Sequence, residues 1–171
     1  MAVKIPIVLS GGEFEQLQAG DSISGAVSSI PTGNTIWVDA VNGDDGTGTS
    51  GRQDLPFLTV GAAIAVAASG DTILVRAGVY AESGLTIPSD VSLIGQGSWQ
   101  TVTIGDFAAA ADIITLSDDS MVRGVRVRVP TSSSFAGISY TGVAGTLTVG
   151  IYDIQFEGDH STGAGVGIKK A

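Results

Sequence analysis

A chain of 171 residues with 43% hydrophobic and 15% charged residues is too apolar for intrinsic disorder and long enough to bury one sizeable core. Its 17 acidic against 8 basic residues give a net charge of -9, which argues against a nucleic-acid surface, since phosphate neutralisation needs clustered Lys and Arg. Cysteine is absent, so disulfides and thiolate metal sites are excluded.

Residues 1–36 read as an arm. Residues 4–9 are a strand-like apolar run, and GGEFEQLQ has the composition of one or two helical turns, limited by Gly11, Gly12 and Gly20. The arm holds too little apolar material for a core of its own, so it is expected to pack on a neighbouring copy or a larger assembly. Its residues Ile5, Ile7, Leu9, Phe14 and Leu17, with Leu85 further on, are the candidate partner contacts. IPIVLS is too short and proline-interrupted for the apolar centre of a secretory leader, and Glu13 and Glu15 follow at once, so none is expected.

A strand over 36–40 leads into NGDDGTGTSG, a turn-rich stretch. Asp39, Asp44 and Asp45 are candidate Ca²⁺ ligands there. The EF-hand spacing and its final Glu are missing, however, and Asp and Gly are equally what a wide turn needs. No cofactor is expected. Leu55-Pro56-Phe57-Leu58 precedes a helix predicted over 59–69, with Thr59 as N-cap, Gly70 at the C-terminus, and Val60, Ile64 and Ala67 or Ala68 as its apolar face.

Beyond Gly70 come short Val/Ile/Thr strands over 72–76, 85–87, 91–94, 101–104, 112–116, 121–129, 137–140, 146–156 and 165–169. Gly95, Gly124 and Asp153 follow one another at steps of 29, with Leu93, Val122 and Ile151 two positions before each. Gly137-Ile138 returns 30 residues later as Gly167-Ile168. Repeats of that size with no intervening helix suit a parallel β-helix of three to five coils, closed at one end by the single helix. An antiparallel sandwich is the alternative. The 24 uncharged residues between Arg128 and Asp153 include many Ser, Thr and Gly plus Pro130, so they read as strand and turn, without membrane insertion. Arg123, Arg126 and Arg128 form the only basic cluster. On one continuous strand Arg126 and Arg128 share a face opposite Arg123. This is a solvated face or, alternatively, a contact for an acidic ligand or partner.

The string from Trp37 to Gly97, with its Gly/Asp loop, Pro-Phe, Ala-rich helix, Gly-Asp-Thr-Ile and Gly-x-Tyr, resembles the N-terminal part of right-handed parallel β-helix proteins of the pectin-lyase-like superfamily. The opening KIPIVLSGGEFEQLQAGDSI is similar to the first residues of bacteriophage tail-fibre and tailspike proteins. Together they imply an all-β, right-handed parallel β-helix over 37–171 behind a virion-anchoring arm, 1–36. The function implied is that of a structural virion protein of the phage tail, homotrimeric, attached to tail or baseplate proteins and supporting host-surface recognition. Host surface polysaccharide is a further candidate partner. A polysaccharide depolymerase and a trimeric head-decoration protein are the alternatives. The chain closes on GVGIKKA in a strand-like run without a polar cap, so a longer fibre or a covering copy is expected.

Enzymes of that superfamily use outward carboxylates, and glycoside hydrolysis needs two of them roughly 5–10 Å apart. The candidates are Asp106, Asp112, Asp118, Asp119, Asp153, Glu157 and Asp159, the last beside the only histidine, His160. Asp118-Asp119 reads as a turn, and Asp153 occupies the repeat position of Gly95 and Gly124. No nucleophile stands beside His160, and no residue is assigned a catalytic role. Trp37, Trp99 and Tyr80 are carbohydrate platforms if exposed, with Trp37 and Tyr80 otherwise expected as apolar anchors at the helix cap.

Overall fold

A computed structural model describes residues 7–10, 13–16, 33–131, 134–141, 149–158 and 166–170. The chain divides into two units, Met1–Ile30 and Pro31–Ala171. In the first, β1 (Ile7–Ser10) pairs antiparallel with β2 (Glu13–Gln16), Ser10 opposite Glu13. The expected helical turns over this stretch are therefore a strand. Antiparallel pairing with β1 wins over the helix propensity of Glu and Gln here. The boundary also falls before the expected residue 36, because Thr35 and Ile36 pair with Thr72 and Ile73 in the second unit.

The second unit is all-β apart from one helix. Its elements are β3 (Thr35–Val38), α1 (Val60–Val66), β4 (Thr72–Val75), β5 (Gly78–Tyr80), β6 (Leu85–Ile87), β7 (Ser92–Gly95), β8 (Val102–Ile104) and β9 (Ile114–Leu116). They continue with β10 (Met121–Arg123), β11 (Arg126–Val129), β12 (Ala136–Tyr140), β13 (Gly150–Tyr152), β14 (Gln155–Gly158) and β15 (Val166–Lys170). The first sheet has the order β13-β10-β7-β4-β3, the second β14-β11-β8-β5 and the third β15-β12-β9-β6. Every pairing within them is parallel. From β4 onward each sheet takes every third strand. Parallel neighbours ordinarily need a crossover of a dozen or more residues, commonly a helix; here the strands of the other two sheets supply it.

Register follows the repeat seen in the sequence. Leu93 pairs with Val122 and Val122 with Ile151, while Ile138 pairs with Ile168. Inward positions alternate with outward ones, so like residues stack. Ile36, Ile73, Leu93 and Val122 are fully buried along the first sheet, Ile104 and Val127 along the second, and Ile87, Ile114, Leu116 and Ile138 along the third. Each such side chain gains about 1.5–3 kcal/mol from leaving water.

Turns set where the chain changes sheet. Gly70 (φ 87°), Asp90 (φ 60°) and Asp119 (φ 57°) stand two residues before β4, β7 and β10, at one recurrent corner. Gly124 (φ 69°) and Asp153 (φ 51°) follow β10 and β13 at another. Asp is among the few non-glycine residues that enter this left-handed region readily. The expected single strands over 121–129 and 146–156 are therefore broken at Gly124 and Asp153, and residues 146–148 lie outside the described residues. β5, at the Gly-x-Tyr run, is a strand beyond those the sequence predicts.

Helix α1 begins as its sequence directs, the Thr59 hydroxyl accepting from the Ala62 N–H at 3.1 Å. Val60 and Ala63 are buried, with Ile64 and Ala67 half-buried, so the core-facing stripe keeps helical spacing. The helix stops earlier than expected, at the C-cap Ala67 rather than at Gly70. Buried Asp71 competes for the chain there, accepting from the N–H groups of Ala68 (2.9 Å) and Asn34 (2.6 Å). The helix packs on β3, β4 and β6.

Candidate functional site

The loop after β3 is organised by its acids, one at a time. Asp39, 5% exposed, accepts from Val41 N–H (2.9 Å), Asn42 N–H (3.1 Å), the Asn42 side-chain amide (3.1 Å) and the Arg76 guanidinium (2.9 Å). Burial pushes its carboxyl up, but Arg76 and then those amide donors together hold it well below the usual carboxylate range. Asp44 accepts from Gly46 N–H at 2.7 Å. Asp45 accepts from the N–H groups of Leu58 (2.8 Å) and Thr59 (3.0 Å) and from the Thr59 hydroxyl (2.8 Å). The three calcium candidates thus serve three separate backbone tasks, and no group of three or more His, Asp or Glu placed for a metal occurs among the described residues.

Glu82 carries a role that local sequence does not signal. Its two oxygens accept from Val60 N–H and Gly61 N–H, each at 2.8 Å, closing the start of α1 from 22 and 21 residues away. With Thr59 and Asp45 it satisfies the donors that a helix start leaves without intrahelical partners.

The aromatic candidates separate. Tyr80 is a core residue, 3% exposed, its hydroxyl donating to the Arg76 carbonyl (2.9 Å) and accepting from Ala40 N–H (3.2 Å). Trp37 does not anchor the helix cap: it lies at an outward position of β3, half-buried, with the Arg76 guanidinium 5.3 Å from its ring centre. Half-buried Trp99 lies under Arg126, at 5.6 Å.

The arginine cluster is arranged differently from a single alternating strand. The turn at Gly124 places Arg123 on the outer face of the first sheet and Arg126 and Arg128 on that of the second, all three outward. Arg126 donates to Gln155 (3.0 Å), its register partner. Arg128 reaches Glu157 at 3.3 Å, also in register, and sits 5.5 Å from the Phe107 ring centre. These cross-strand pairs tie successive strands together.

Most candidate carboxylates are likewise engaged. Asp112 meets Lys169 at 2.9 Å and accepts from Ala136 N–H at 2.7 Å. Burial raises its pKa, and Ala136, Lys169 and Ser139 more than offset that, so the carboxyl is lowered overall. Asp106 accepts from Ala108 N–H at 3.0 Å, a local turn. Asp119 and Asp153 hold left-handed corners. Asp118 keeps one carboxylate oxygen shut from solvent without a hydrogen-bond partner. Asp159 and His160 lie outside the described residues.

Of the candidate partner contacts, Leu85 is 6% exposed and sits in the core, against Ile114 of the next strand, so its side chain is already covered within this molecule. Ile7, Leu9 and Phe14 lie on β1 and β2, and Ile5 and Leu17 lie outside the described residues. Among the described residues no helix is long and apolar enough to cross a membrane. Comparison with protein-family models, with curated proteins and with solved structures gives no match.

Proposed function

We propose that this chain is a structural virion protein, a tail-fibre or tailspike component of a bacteriophage, whose second unit forms a right-handed parallel β-helix shaft. The observation that carries the reading is the in-register stacking of every third strand into three parallel sheets, with Leu93, Val122 and Ile151 partnered at steps of 29. Such a stack satisfies the backbone of each inner strand from both sides and lengthens without changing its cross-section, as a shaft must. The similarity of the opening residues to tail-fibre and tailspike proteins supports an anchoring role for the arm. Copies associate in threes about the shaft axis, giving the closed symmetry an appendage needs. Engagement of Asp39, Asp112 and Glu157 in ion pairs favours a scaffold over a depolymerase.

Immunogold labelling of virions that carry the chain tests the reading, with label expected at the tail. Label confined to the head would favour head decoration. New reducing or unsaturated ends after incubation with host capsular polysaccharide would favour a depolymerase. Deleting residues 1–36 should abolish virion attachment. Because Thr35 and Ile36 pair with β4, a deletion ending at residue 30 is the cleaner variant and should leave the far-ultraviolet dichroism of the remainder unchanged.

A further inference from the structure

We propose that the outer face of the first sheet is the surface through which this chain meets a second copy of itself. The inference rests on the self-association in the reading above and names its surface. Because inward and outward positions alternate, the outer ladder follows from the register: Trp37, Leu74, Ile94, Arg123 and Tyr152 are successive partners on β3, β4, β7, β10 and β13. Leu74 and Ile94 are half-buried yet stand outside the core cluster, and Tyr152 is 57% exposed. The parallel ladder beside them runs through Thr, Ser, Met121 and Gly, so Arg123 is the sole charge on either.

The other two sheets differ. Outward on the second, Arg126 and Arg128 are bonded to Gln155 and Glu157; outward on the third, Thr115 and Ser139 hydroxyls meet at 3.0 Å and Lys169 pairs with Asp112. A sheet face left to water is commonly polar, and on those two the outward charged groups are already paired within the chain. Trp, Tyr, Met and Arg on these two ladders, with no Lys or Glu and with Asp153 only at their corner, is instead the composition of the buried centre of a protein interface. The stretch of the row from Trp37 through Leu74 to Ile94 also lacks the convergent polar groups by which a small-molecule or sugar site fixes its ligand.

Charge selects a second copy as the occupant. Met121, Arg123, Tyr152 and Asp153 line one cleft of about 500 Å³. The side chains of Arg123 and Asp153 are exposed, and neither makes an ion pair or hydrogen bond to any described residue. By contrast Arg52, Arg76 and Arg128 are ion-paired and Arg126 is bonded to Gln155. A patch that holds one unpaired cation and one unpaired carboxylate complements itself. When copies pack side by side about the axis, Arg123 of one is supplied with Asp153 of the next, a head-to-tail contact that closes a ring.

Sedimentation of the full-length chain over a concentration series is the test, with wild type, Leu74→Arg, Arg123→Glu and Asp153→Asn compared. Val79→Arg, an equally outward change on the second sheet, is the control. Wild type should exceed the monomer mass of 17.1 kDa. Leu74→Arg should weaken association at least about tenfold. Arg123→Glu and Asp153→Asn should each weaken it too, and Val79→Arg should not. Should Leu74→Arg lose its far-ultraviolet dichroism, the exposed and unpaired Arg123 decides the matter instead. Wild type remaining at monomer mass overturns both this inference and the self-association it rests on. Association that survives Leu74→Arg and Arg123→Glu unweakened overturns the surface alone. Saturable saccharide binding at Trp37 by a monomer would assign the face to a glycan and overturn the second copy.

Discussion

Single carboxylates do much of the local work in this chain, and their effects are separable. Glu82 accepts two helix-start donors at 2.8 Å with two equivalent oxygens. Glu82→Gln leaves one oxygen and turns an amide donor toward the other N–H, so stability should fall by about 1 kcal/mol, the scale of a lost helix cap. A lower urea midpoint at unchanged slope would show it. Asp39 gives a pH-dependent counterpart. Its folded pKa is held below the unfolded value of about 3.9 by Arg76 and the neighbouring N–H donors despite burial. The stabilisation is therefore complete above about pH 5 and is lost as pH falls toward the folded pKa. The stability difference between wild type and Asp39→Asn should shrink by about 1 kcal/mol between pH 4 and pH 3. A difference constant over that range would mean that ionisation of Asp39 contributes nothing.

At the scale of elements, two glycines with opposite constraints predict opposite costs. Gly84 has φ 70° and open space around it, whereas a Cβ at Gly95 would lie 2.2 Å from the Gly124 carbonyl oxygen of the next strand's corner. Gly84→Ala should cost about 1 kcal/mol for the left-handed backbone alone. Gly95→Ala should cost about 3 kcal/mol, since the stacking of β7 on β10 must open to admit the methyl. Equal midpoints for the two variants would refute the close-approach argument. Much of this architecture is legible because a stacked fold repeats its own constraints: the step that relates Leu93, Val122 and Ile151 is the pairing register itself. Thr59 is legible for the opposite reason, acting within one turn of chain. What is not legible acts at a distance or depends on one dihedral. Nothing near Glu82 announces a helix start 22 residues away. The outward placement of Arg123 turns on the positive φ of Gly124, which moves the chain to another sheet and defeats simple alternation. Likewise the hairpin register of β1 and β2 overrides the helix propensity of Glu13–Gln16.

Across the whole second unit, stability should vary along the stack, because each strand leans only on its sequence-distant neighbours. β7 and β10 have a parallel partner on each side, whereas among the described residues β13, β14 and β15 stand at the sheet edges with a partner on one side. Inward side chains follow the same gradient: Ile138 is 0% exposed and its register partner Ile168 is 47% exposed. In a stack with nearest-neighbour coupling, an edge strand opens at the cost of one interface and an inner strand at the cost of two. Amide hydrogen exchange of the monomer should therefore be slowest in β4, β7 and β10 and fastest in β13, β14 and β15. Substitution gives the energetic version: Ile138→Ala should cost about 2–4 kcal/mol, and Ile168→Ala less than about 1 kcal/mol, because the second site is already half in water. Uniform protection across all three sheets, together with equal costs for the two isoleucines, would mean that the second unit unfolds as one indivisible body rather than strand by strand from its open edge.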